Sequence, residues 1–128
     1  MTIIKNEMTV FVDVDGTLIV PYDPKLKQIV IKVYDAVTKH YVKVAIHEPM
    51  IRLVKEEHHR GSHVIVWSRG GHEWAANVIR ALELTPFVHQ VMSKPFAYFD
   101  DVKIDKWLKY RVYLEPDMQY KKPMTKES

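Results

Sequence analysis

Residues 10–19 read Val-Phe-Val-Asp-Val-Asp-Gly-Thr-Leu-Ile, and the core Asp13-Val14-Asp15-Gly16-Thr17 organises the reading of the whole chain. Thr9 to Val14 is apolar and rich in β-branched residues, as a buried central strand requires. Two carboxylates leave its end two residues apart. Gly16 permits a sharp backbone turn, and Thr17 stands where the next element begins. With each fixed residue type at about 5–7% usage, this pattern arises by chance in roughly one chain in a thousand of this length.

Outward from this stretch, apolar strands alternate with amphipathic helices. Pro21-Tyr22-Asp23-Pro24 breaks the chain. Residues 28–34 and 41–46 are β-branched runs joined by a short polar link, which predicts a hairpin over 28–46. A helical stripe through Leu26, Ile29, Val30, Val33 and Val37, capped by Asp23 with Pro24 in its first turn, is the competing reading; the Ile29-Val30-Ile31 run favours strands. Glu48-Pro49 opens a helix with Met50, Leu53 and Val54 on one face, and Gly61 closes it. Residues 63–67 predict a second buried strand and Ser68-Arg69-Gly70-Gly71 a tight loop. From His72 onward, Ala75, Val78, Ile79 and Leu82 mark a second helix. A third strand is expected over 89–92 and a fourth over 97–99, ending in Asp100-Asp101. A short helix around Ile104, Trp107 and Leu108 and an edge strand over 111–114 follow. Residues 1–118 read as a single domain and 119–128 as a polar tail. The expected class is α/β, a Rossmann-like parallel sheet with flanking helices. Ligands bind such sheets beyond the carboxyl ends of the strands, where Asp13, Asp15, Ser68, Lys94, Asp100 and Asp101 would all fall.

Composition narrows the function classes. The chain has 128 residues, 47% hydrophobic and 27% charged, which suits one globular core rather than a disordered segment. No apolar run approaches the roughly 20 residues of a membrane span, and the first apolar stretch runs straight into Asp13, unlike a secretory leader. Without cysteine there is no disulfide framework or thiolate metal site, as expected of a cytoplasmic protein. A net charge of +3 and a pI of about 9.0 favour anionic substrates. The lysines alternate with acids and form no continuous phosphate-tracking stripe. Seven histidines raise the question of zinc; His58 and His59 are adjacent, so on a helix they point apart and cannot chelate as an i, i+4 pair does. Trp67, Trp74 and Trp107 read as core residues.

The acids, the serine and the lysine, in this order, resemble the haloacid dehalogenase (HAD) superfamily, mostly magnesium-dependent phosphatases. Asp13-Val14-Asp15-Gly16-Thr17 resembles its first motif and Val64-Ile65-Val66-Trp67-Ser68 its second. Lys94 in Ser93-Lys94-Pro95 resembles its third, and Ala97-Tyr98-Phe99-Asp100-Asp101 its fourth. The resemblance spans residues 9 to about 115, and the short distance from Lys94 to Asp100 is similar to that of small bacterial and phage members. It implies a HAD-like fold with a β-hairpin flap after the first strand and no cap domain, since residues 19–47 suffice only for a flap. It implies Mg2+ as cofactor, held by Asp13, the Asp15 main-chain carbonyl and the Asp100-Asp101 pair. Alignment with members carrying Gly-Asp makes Asp101 the direct ligand and Asp100 its neighbour; the reverse assignment stays open.

These residue types match what a phosphate ester needs. Asp13 can attack phosphorus and form an aspartyl-phosphate. Asp15 can protonate the leaving oxygen and then activate water. Lys94 can neutralise the transferring phosphoryl group, and Gly16, Thr17, Ser68 and Arg69 surround the position where phosphate oxygens would sit. The expected activity is therefore that of a phosphohydrolase, a phosphomonoesterase. An open pocket admits a phosphorylated small molecule or a nucleic-acid end and no membrane. It leaves selectivity to flap residues such as Lys32 or Lys43, or to a partner subunit of a homo-oligomer. Two alternatives stand beside it: a polynucleotide 3′-phosphatase, and a non-catalytic phosphate-binding or phosphoacceptor module. Receiver-type phosphoacceptors carry an aspartate at the end of the third strand, where this chain has Val91-Met92-Ser93.

Overall fold

Two sheets grow from the turn at Gly16. The computed structural model describes residues 8–114 and the backbone of Thr125–Lys126. The chain forms two compact units, residues 1–94 and 95–128. In chain order the first contains β1 (Thr9–Asp13), β2 (Ile19–Pro21), β3 (Val30–Asp35), β4 (His40–Ile46), α1 (Glu48–His59), β5 (His63–Ser68), α2 (His72–Ala81) and β6 (Gln90–Ser93). The architecture is mixed α/β.

The first sheet is parallel, with strand order β1-β5-β6. Register puts Val12 beside Val66 and Phe11 beside Ile65, so successive residues alternate between two faces. Val12, Val64 and Val66 form the buried face, and the helices supply its partners: Met50, Ile51 and Val54 from α1, Ala75, Val78 and Ile79 from α2. The connections β1→β5 and β5→β6 step in the same direction across the sheet. Right-handed crossovers then place both helices on one side. On the other, Phe11 is 44% exposed and packs its ring 4.3 Å from that of Trp67.

Both helices end as their sequences direct. Pro49 sits in the first turn of α1, where its missing N–H costs nothing. At its other end Gly61 takes φ 93°, and the amides of Gly61 and Ser62 bond to the carbonyls of His58 and Glu57, the double bond of a Schellman cap. After α2 the same left-handed position is filled by Glu83, at φ 59°.

The hairpin reading of 28–46 is the one the chain adopts. β3 and β4 pair antiparallel from Val30–Ala45 to Asp35–His40, and a third strand, β2, pairs on the other side of β4. β2 was missed because Pro21 reads as a breaker; it ends the strand instead, as an edge position allows. This sheet is tied to the body. Val33 is buried, α2 packs on β3, and Asn77 Nδ2 donates to the Tyr34 carbonyl at 2.9 Å.

The second unit departs further from expectation. Residues 97–99 form no strand. Phe96 and Phe99 are 104% and 97% exposed, so no burial favours a pleat there, and Pro95 lacks an N–H for a ladder. Asp100 and Asp101 thus do not follow a strand end. The short helix is a single 3-10 turn over Ile104–Lys106, and Trp107, expected in a core, is 49% exposed. β7 (Arg111–Val112) pairs antiparallel with β8 (Thr125–Lys126). The polar tail expected over 119–128 lies outside the described residues apart from the backbone of β8. Among the described residues no helix is long and apolar enough to cross a membrane.

One side chain holds the approach to β6. The Val64 amide donates to His89 Nδ1 at 3.0 Å. Removing the acceptor leaves a part-buried N–H without a partner, so His89→Ala is expected to cost about 1–3 kcal/mol. Urea unfolding checks this: the midpoint falls with the slope unchanged, whereas an unshifted midpoint contradicts the role.

Candidate active site

The site begins with one carbonyl. Val14 C=O accepts the amides of Thr17, Leu18 and Ile19 at 3.2, 2.9 and 3.2 Å. To let them converge, Gly16 adopts φ 84°, and its own N–H donates to the Ile19 carbonyl at 2.8 Å. Any side chain at that φ is strained. Val14 and Leu18 are fully buried and anchor the loop. Asp13 and Asp15 flank this anchor.

The two carboxylates then meet different surroundings. Asp13 Oδ1 pairs with Lys94 Nζ at 3.1 Å, both side chains about one-third exposed. Asp13 Oδ2 accepts from the Thr17 hydroxyl at 3.2 Å. Lys94 reaches it from the end of β6 across the middle strand, because the Lys94 amide bonds to the Ser68 carbonyl at 2.9 Å. Its ammonium also stands 5.8 Å from the Trp67 ring centre, within cation–π reach.

Asp15 is held from α2. Trp74 Nε1 donates to its Oδ1 and Oδ2 at 3.1 and 3.2 Å, and the Ser68 hydroxyl donates more weakly to Oδ2 at 3.4 Å. Ser68 is fully buried and accepts the Gly70 amide at 2.9 Å. Gly70 fits closely here: a Cβ would stand 3.1 Å from Trp74 Cδ1 and 3.3 Å from Ser68 Oγ, tight enough that those side chains would have to give way by a few tenths of an ångström. Trp74 thus corrects the reading of all three tryptophans as core. The available signal was an indole in the first turn of a helix that follows a glycine pair.

Asp13, Asp15, Thr17, Ser68 and Lys94 are therefore brought together, with Trp74 added. Gly16 supplies the turn. Arg69 is exposed, and its side chain makes no hydrogen bond or ion pair among the described residues. Asp100 and Asp101 belong to the second unit, where both are exposed. Asp100 Oδ1 accepts the Val102 amide at 3.0 Å. That bond, with a smaller contribution from Asp101, holds Asp100 below the usual carboxylate range.

At the other end of β5, the rings of His63 and His89 lie 4.6 Å apart and tilted by 30°, and His58 lies 5.5 Å from His89. They stack rather than converge. Among the described residues no three His, Asp or Glu side chains gather to hold a metal ion. Comparison with family models, with curated proteins and with solved structures finds no match for this chain.

The Trp74–Asp15 contact has a direct signature. In Asp15→Asn the acceptor loses its charge and the bond weakens, so the Trp74 indole N–H resonance should move upfield while those of Trp67 and Trp107 stay in place. An unmoved Trp74 signal would rule the contact out in solution.

Proposed function

We propose that this chain is a phosphomonoesterase that works through an aspartyl-phosphate on Asp13. The observation that carries this reading is the pairing of Asp13 with Lys94, 3.1 Å apart and reached from the ends of the two outer strands, β1 and β6, beside a second carboxylate held separately by Trp74. A carboxylate alone repels a phosphate dianion; an ammonium in contact with it offsets that repulsion and attracts the phosphoryl oxygens. The HAD-like character of the fold belongs to the same proposal, supported by the order of the motifs and by the parallel sheet.

The steps use groups already present. An Asp13 oxygen bonds to phosphorus as the bond to the leaving oxygen breaks, and protonated Asp15 passes its proton to that oxygen. Asp15, now a carboxylate, takes a proton from water. The water oxygen bonds to phosphorus, the bond to Asp13 breaks, and phosphate departs with both aspartates restored. Trp74 and Ser68 fix the orientation of the Asp15 carboxylate, and the Thr17 hydroxyl that of Asp13.

The donor set fits magnesium. The two candidate ligands of the first unit, the Asp13 carboxylate and the Asp15 carbonyl, are hard oxygens, as are the Asp100 and Asp101 carboxylates of the second unit. Among the described residues each Asp13 oxygen carries one bond, which leaves it capacity for a further one. Magnesium needs only one or two carboxylates, with water and phosphate completing its shell. When bound there it supplies charge neutralisation and a template for in-line geometry.

Phosphate release from aryl, nucleotide, sugar and oligonucleotide phosphomonoesters tests the reading. We expect magnesium-dependent turnover, abolished by a chelator and restored by added metal. Asp13→Asn should lower kcat about a thousandfold or more with folding intact. Equal turnover by that variant, or turnover without divalent metal, would overturn the mechanism.

A separate comparison concerns Trp74. If it positions the proton donor, Trp74→Phe should lower kcat more for alkyl phosphates, whose leaving oxygen needs a proton, than for a nitrophenyl ester, whose leaving oxygen does not. Equal losses on both would make the role merely structural.

A further inference from the structure

The solvent face of the β2-β4-β3 sheet carries a pattern that the hydrolytic chemistry does not use. Lys32 and Lys43 are directly opposite one another in register, and both are exposed. Like charges facing each other across a ladder are destabilising. One step outward on the same face Tyr34 stands opposite Tyr41, their rings 5.3 Å apart edge to face. Tyr41 is 69% exposed, so a broad aromatic surface is left open to solvent. Lys43 also lies 5.2 Å from the ring centre of Tyr22, at the end of β2.

Charge follows the same boundary. Residues 19–47 contain five lysines and two aspartates, so this segment alone carries a surplus equal to the net +3 of the whole chain. Neither aspartate faces the lysine pair in a bond: Asp23 Oδ1 accepts the Lys25 amide and Asp35 Oδ1 the Val37 amide. The surface thus combines aromatic faces with ammonium groups that make no ion pair among the described residues. That is the combination that holds a flexible strand of phosphates and bases without reading its sequence.

The register also gives direction. Ile46 pairs with Ile19, where the chain leaves the Asp13–Ile19 turn. At about 3.3 Å per residue, the lysine pair lies roughly 10 Å and the tyrosine pair roughly 17 Å along β4 from that point. We infer that this face binds single-stranded nucleic acid, the lysines on its phosphates and the tyrosines under its bases. Resting on the phosphomonoesterase reading for its last step only, the inference makes a phosphate-bearing strand end the substrate class.

Fluorescence anisotropy of a labelled single-stranded oligonucleotide measures binding with Asp13→Asn protein, so that turnover plays no part. Binding should weaken with salt at a slope of about −0.7 per phosphate contact. Lys32→Ser combined with Lys43→Ser should flatten that slope by about 1.4 and leave the melting temperature unchanged or higher, since a repulsive pair is gone. Tyr34→Ala and Tyr41→Ala should each weaken binding about tenfold. Inorganic polyphosphate of equal charge should bind more weakly and ignore the tyrosine substitutions. The inference is overturned if the oligonucleotide does not bind, if polyphosphate or an acidic peptide binds as well, or if the tyrosines make no difference. Phosphate release from small esters alone would then leave the hydrolytic reading standing without it.

Discussion

The Val14 carbonyl is the hinge of this structure. Three successive amides converge on it, which forces the chain to reverse within the few residues after β1. Only a residue free to take positive φ can sit at position 16, and glycine does so at low cost. Two consequences follow from one constraint. Asp13 and Asp15 emerge on either side of a fully buried anchor, and the chain leaves the turn as β2, the strand that starts the second sheet. The site and the surface beside it therefore share an origin.

Electrostatics does different work at the two carboxylates. The Asp13–Lys94 pair is partly solvated, and such pairs contribute only about 0–1 kcal/mol to stability. It joins the ends of the first and third strands of the parallel sheet and puts an ammonium beside an anionic oxygen. Asp15 instead accepts from an indole and a buried serine. An indole N–H can only donate, so it orients a carboxylate without adding charge. One aspartate is thus set against a cation and the other against neutral donors.

Much of the first unit is legible in the residues. Strands at 9–13, 63–68 and 90–93 announce themselves as apolar runs bounded by polar or glycine-rich breaks, and Pro49 and Gly61 bracket α1. The hairpin is legible because β-branched runs outweigh a coincidental helical stripe. What is not legible depends on tertiary contact. Pro21 reads as a break until β4 is there to pair with β2. Ala97-Tyr98-Phe99 reads as a strand because its side chains are apolar, but exposed apolar side chains gain nothing from a pleat. Trp74 reads as core because indoles usually are; its role appears only when Gly70 leaves room for it to reach Asp15. Asp13, Asp15, Ser68 and Lys94 follow from the strand-end rule, and the structure brings those four together.

The central claim is that Asp13 is a nucleophile, and the most direct measurement is to catch its phosphoryl adduct. The protein is mixed with a phosphomonoester that it turns over, quenched in acid within the first turnover, digested, and its peptides weighed. The account predicts a phosphoryl group on the peptide containing Asp13, present at early times and absent from Asp13→Asn. Rapid phosphate release with no adduct on that peptide, together with undiminished release by Asp13→Asn, would contradict it.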